Sequence, residues 1–159
     1  MKIPRVLSVR LLIFSLLAIS ILCAADLSLG TWRLNVTKSR FDPGPPFKSE
    51  TRSYEQDRDG VKVSIQAVDS KGISSSSIYL ITSDGKQHPV SGSGGPADAV
   101  ALKQIDELTA ESSLMHGGKE IAKTTRVVSA DGKIMTITYK GLDPRGTPVN
   151  NTLVFERIK

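Results

Sequence analysis

Thiols are almost missing from this chain of 159 residues, whose one cysteine is Cys23. Disulfides, cysteine nucleophiles and thiolate metal sites are therefore excluded for everything that follows it. Histidine is nearly as scarce. His88 and His116 are the two present, flanked by Pro89 and Gly117, and neither has a neighbour at metal-ligand spacing, so no metal site is expected. No segment carries a 3.6-residue apolar stripe over ten residues, which argues against a helical fold. The serine run 74–77 has no nucleophile-elbow glycines around it, and Gly92, Gly94 and Gly95 lack the Lys-Ser/Thr of a phosphate-binding loop. Without an acid, base or nucleophile constellation, neither an enzyme nor a cofactor is expected. Basic runs interleaved with aromatics are also missing, so no nucleic-acid partner is expected.

The chain starts with a different kind of segment. Lys2, Arg5 and Arg10 precede an apolar run over 11–22, followed by Cys23, Ala24 and Ala25. This is the form of a secretory signal peptide. An apolar core of about a dozen residues falls short of the roughly 18 to 20 that a spanning helix needs. The expectation is cleavage near Ala25, a secreted or periplasmic product with no stable membrane insertion, and a single domain over 26–159. A lipidated Cys23 fits less well, because Ser20 and Leu22 stand where such sites carry a branched and a small residue. The leader takes with it three of the 21 Lys+Arg and none of the 16 Asp+Glu, so the net charge of +5 falls to +2.

In the remainder, tight-turn signals recur about every ten to twelve residues: Asp59-Gly60, Asp69 to Gly72, Asp84-Gly85, His116 to Gly118, Asp131-Gly132 and Asp143 to Gly146. Between them lie short alternating segments, the clearest being Val61, Val63, Ile65 and Ala67 against Lys62, Ser64 and Gln66. Turn residues between alternating runs read as consecutive antiparallel hairpins. The predicted strands are 29–36, 49–57, 61–68, 73–82, 86–91, 99–105, 108–115, 120–129, 134–140 and 149–158. A meander of this length has two edges to protect, and closing on itself removes both. The expected fold is all-β, an antiparallel up-and-down β-barrel of about eight to ten strands. Two stretches break the rhythm. Residues 41–47 form a stiff proline-rich loop and 91–96 a flexible glycine-rich one, and together they could frame one mouth.

Gly30-Thr31-Trp32 opens the first strand and Arg157 stands near the end of the last. Trp32 shares a face with Leu34, and Arg157 with Leu153 and Phe155, so both point inward on neighbouring strands of a closed barrel. The guanidinium can then stack on the indole, a contact worth roughly 0.5 to 2 kcal/mol, and close one end. A Gly-x-Trp in the first strand with a basic residue closing the last resembles the pattern of lipocalins and their calycin relatives. The phrases over 30–35, 84–86 and 131–136 look like those of small, uncharacterised, secreted lipocalin-like proteins of bacteria. The resemblance implies a barrel holding a small apolar ligand, with Gly30, Trp32 and Arg157 as structural plug. About ten strands stand here against the eight of lipocalins. That number is more like the fatty-acid-binding branch, although the helical lid of that branch has no counterpart.

The inferred inner face supplies the candidate ligand contacts: Leu34, Tyr54, Val63, Ile65, Tyr79, Leu102, Leu114, Ile137 and Leu153. Arg52 and Arg126 add a narrower hypothesis. If Tyr54 faces inward, alternation takes Arg52 with it and Arg126 can join them, and buried arginines require an anion such as a ligand carboxylate. The preferred reading of Arg52 is the ordinary one, facing solvent or paired with Glu50 or Glu156. The expected function is non-catalytic binding of a small hydrophobic or amphipathic ligand. The alternative is a solid barrel, filled by its own side chains, that acts as an envelope or extracellular interaction module.

Overall fold

The computed structural model describes residues 26–143 and 145–159; the predicted leader and its expected cleavage point lie outside them. All strands are antiparallel and run β1 (Gly30–Leu34), β2 (Ser49–Asp57), β3 (Gly60–Val68), β4 (Ser74–Ile81), β5 (Asp84–Pro89), β6 (Ser91–Gly92), β7 (Ala99–Gln104), β8 (Thr109–His116), β9 (Lys119–Val128), β10 (Ile134–Leu142) and β11 (Pro148–Arg157). They form one sheet in the order β5-β7-β8-β9-β10-β11-β1-β2-β3-β4-β6. Its two edges, β5 and β6, are successive pieces of the same segment, separated by Val90 alone. The segment therefore pairs with β7 first and with β4 afterwards, and the sheet becomes a nearly closed barrel. Counted through this break, the strands are the ten expected.

The turns follow from local chemistry. At three of them a glycine N–H bonds back three residues, Gly72 to Asp69, Gly132 to Ser129 and Gly146 to Asp143. Aspartate side chains take the remaining donors, Asp69 from Lys71 and Ile73, and Asp143 from Arg145 and Thr147. A short polar side chain that accepts from its own turn preorganises the reversal. Two expectations differ in detail. Asp84-Gly85 is not the reversal itself but the irregular start of β5, where pairing with β7 shifts between Asp84 and Gln87. Val36 is not strand, because the Asn35 side chain accepts the Lys38 N–H and caps a 3-10 turn over Val36–Lys38.

The glycine-rich stretch is more than the flexible loop expected. Its first residues are β6, and the amides of Ser93 and Gly94 both donate to the Ser76 carbonyl, at 2.8 and 3.0 Å. A Cβ on Gly92, whose φ is +122°, would strike that carbonyl, and one on Gly94 would sit 2.6 Å from the Ser77 hydroxyl. Absence of side chains is what lets the segment lie against β4 and complete the wall. In an up-and-down barrel the proline-rich loop belongs to the same end. There Phe41 and Phe47 meet edge to face at 6.1 Å and pack on the core.

Alternation sends Trp32, Leu34, Tyr54, Val63, Ile81, Val100, Leu102, Met135, Ile137, Leu153 and Phe155 inward, where they form one buried cluster. Trp32, Val63, Met135 and Phe155 are wholly shielded from solvent. Burial of these large side chains is the main stabilising term in a chain with no cross-link over this region.

Candidate functional site

At one end of the barrel Trp32 and Arg157 make the expected contact. Trp32 and Arg157 are direct partners across β1 and β11, and the guanidinium carbon lies 4.2 Å from the centre of the indole. Arg157 Nε and Nη2 donate to the carbonyls of Gly132 and Leu27, each at 2.5 Å, while Nη1 donates to Leu29. The indole Nε1 donates to Ser28 O at 2.9 Å. Gly30, with φ of +122°, is required because a Cβ there would meet both Arg157 Nη1 and the Lys159 carbonyl. Each guanidinium nitrogen thus donates to one of the chain's own carbonyls.

Inside, the wall is polar at one level. Arg52, Tyr54, Tyr79, Ile81, Leu102, Ser112, Thr124, Arg126 and Ile137 surround a cavity of about 30 Å³. Arg52 does turn inward, and it also finds the partner that the ordinary reading named. Its Nε donates to Glu50 Oε1 at 2.5 Å, and Glu50 is only 3% exposed. The Arg52 guanidinium lies 5.1 Å from the Phe155 ring centre. Burial works against the Arg52 charge, but the Glu50 carboxylate beside it favours that charge, and the pKa stays above the ordinary value. The Tyr79 phenol is pushed up, first by burial and then by Tyr54, although Arg52 and Arg126 act in the opposite direction.

Arg126 is different. It is 8% exposed, its Nε has no hydrogen-bond partner, and among the described residues no carboxylate forms an ion pair with it. Its nearest compensation is the Tyr54 ring, 5.2 Å from the guanidinium carbon to the centroid. Among the described residues one carboxylate, Glu50, is buried, and at the level of the cavity it faces the guanidiniums of both Arg52 and Arg126, so this level carries an uncompensated positive charge. Such a charge is costly without a counterion.

Of the candidate contacts, Arg52, Tyr54, Tyr79, Leu102, Arg126 and Ile137 line the cavity. Leu34, Val63 and Leu153 are buried in the core, with Ile65 and Leu114 packed against it. Ile81, Ser112 and Thr124 also line the cavity and were missed. Parity alone points to them, since each lies two residues from an inward neighbour: Tyr79, Leu114 and Arg126. On the outside, at the mouth end of β2, β3 and β4, an open groove of about 370 Å³ is lined largely by hydroxyls, among them Ser49, Thr51, Ser74, Ser76 and Ser93. Neither histidine reaches the cavity: His88 Nε2 lies 2.9 Å from the Thr82 hydroxyl and His116 Nδ1 lies 3.5 Å from Asp98. The geometry is compatible with a calycin-like fold. Compared with protein-family models and with curated sequences, the chain matches none.

Proposed function

We propose that this lipocalin-like barrel is a secreted or periplasmic, non-catalytic binding protein for a small amphipathic carboxylate, whose head is held by Arg126 beside Arg52, Tyr54 and Tyr79. The observation that carries this reading is the buried guanidinium of Arg126, which faces a polar cavity with no carboxylate of its own. A carboxylate entering there would supply the missing acceptor, and charge-assisted hydrogen bonds in a shielded site are strong. About 30 Å³ of free space suits a head group or one or two waters, well below the roughly 300 Å³ of a pocket for a whole drug-sized ligand.

The same small volume favours a second reading, a filled barrel whose outer surface, including the hydroxyl-lined groove, contacts a protein or glycan. Arg126→Met separates the two. On the first reading carboxylate affinity measured by titration calorimetry drops about 10- to 100-fold, the loss of a charged hydrogen bond. The ligand-free variant should meanwhile gain about 1 to 3 kcal/mol against urea, because an unpaired buried charge has become an apolar side chain. If the intact protein isolated from its own host carries no extractable acid and binds none in titration, the filled-barrel reading replaces the first.

A further inference from the structure

A head group held at Arg126 raises the question of where its tail lies. Both ends of the barrel are packed. Towards the plug the strands place Trp32, Phe155 and Met135, all fully buried, and towards the mouth they place Glu50, Val100 and Ala122, none more than 3% exposed. Glu50 would also repel an acid approaching from the mouth. The side wall is another matter. β4 pairs with β3 along its whole length, but on its other flank it pairs with β6 only at Ser77 and Ile78. β5 pairs with β7 alone. Between Tyr79–Ile81 and β5 no backbone ladder exists, and the wall there is a seam.

Three observations tie this seam to the cavity. Tyr79 and Ile81 from β4 and Leu102 from β7 line the cavity on either side, with no lining residue from β5 between them. Across the seam the side chains of Thr82 and His88 meet, Oγ1 to Nε2 at 2.9 Å. The outer face of β4 at and beside the seam is apolar: Leu80 is half-buried at the seam, and Ile78, 51% exposed, lies next to it at the last pair with β6. Parting any other pair of long strands breaks a continuous ladder, such as the one running from Ile134 to Leu142 on β10. Parting the seam breaks none.

Resting on the head-group reading above, we infer that the ligand enters through the β4–β5 seam and stays astride it, carboxylate inside at Arg126 and hydrocarbon tail outside along Ile78 and Leu80. The tail therefore meets no far wall, and the protein selects for the head and the first few carbons rather than for chain length.

The test uses saturated acids from acetate to hexadecanoate, and dodecanoate with a pyrenyl group on its terminal carbon. The expected result is an affinity that rises over the first several carbons and then levels, with the pyrenyl acid binding within about threefold of dodecanoate. A pyrenyl acid weaker than dodecanoate by 30-fold or more would place the tail inside and overturn the inference while leaving the head site standing. If no acid binds at all, the head-group reading fails and this inference with it. Location is read separately. Residues 26–159 contain no cysteine, so a quencher can be attached at Ile78→Cys or, on the far wall, at Thr138→Cys. Stronger pyrene quenching from position 78 supports the seam, and equal quenching from both refutes it.

Discussion

Removing the Arg157 guanidinium tests how much of the barrel's stability rests on its sealed end. The side chain makes three hydrogen bonds to backbone carbonyls and stacks on the indole at 4.2 Å. Charged hydrogen bonds contribute about 1.5 to 3 kcal/mol each when shielded, and the stacking about 0.5 to 2 kcal/mol. The site is only half-buried, and water would rehydrate the carbonyls that Arg157→Ala exposes, so the net loss is about 3 to 5 kcal/mol. In a domain of this size that corresponds to a fall in Tm of roughly 10 to 20 °C. The assay is urea unfolding followed by tryptophan fluorescence, which reads the plug directly because Trp32 is the sole tryptophan. Its emission should also shift to the red in the folded variant as water reaches the indole. Arg157→Lys keeps the charge but not the planar fork, and should lose about half as much. A change below 1 kcal/mol in Arg157→Ala, with unshifted emission, would show that the contact is incidental and refute the reasoning.

Two further predictions concern closure and pH. Gly92→Ala forces a Cβ at φ of +122° into the Ser76 carbonyl, so it should cost about 2 to 3 kcal/mol in urea unfolding and speed hydrogen exchange along β4; wild-type protection would show that β6 does not close the wall. The Leu108 N–H holds Asp106, the Ser129 hydroxyl holds Asp131 and the Thr147 N–H holds Asp143 below the ordinary carboxylate value. Depressed folded values mean that this stabilisation is complete above the unfolded aspartate value of about 3.9 and is lost as pH falls through the lower folded values. The Tm should therefore hold down to about pH 5 and decline progressively towards pH 2, and a flat profile over that range would be contrary evidence.

The packed ends and the unladdered side give the barrel an uneven rigidity. Strands joined by continuous ladders and anchored on Trp32, Met135 and Phe155 cannot part locally without losing several bonds at once, whereas the seam is held by side chains. Motion should concentrate there, next to the cavity that contains the uncompensated arginine. A ligand that bridges the seam would add contacts across it, so hydrogen exchange in β4 and β5 should slow on binding more than elsewhere.

Much of the fold was legible before any coordinates because its signals are local. Alternation over two residues assigns Val63 inward and Lys62 outward without reference to any other strand, and Asp-rich turns such as 69–72 reverse the chain through hydrogen bonds within a few residues. The plug was legible for a related reason: first and last strands must be neighbours in a closed meander, which brings Trp32 and Arg157 together once both point inward. Ile81, Ser112 and Thr124 were missed although the same parity points to them, because nothing else in their local sequence marks them as lining a cavity. The rest depended on how strands meet in space. Glu50 and Arg52 share a face two residues apart on β2, so their pairing is local; that Arg126 finds no acid depends on register and on which side chains reach the same level of the barrel. The break at Val90, the docking of Gly92 and Gly94 against β4 and the seam beside it depend on closure of the whole sheet. Cavity size is likewise a small remainder between barrel radius and side-chain volume. The sequence by itself determined strands, turns and facing, because these are properties of a few consecutive residues. Only the tertiary structure decided that Arg126 would be buried without an acid, where the wall has its gap and how much space is left inside, because each is set by residues far apart in the chain.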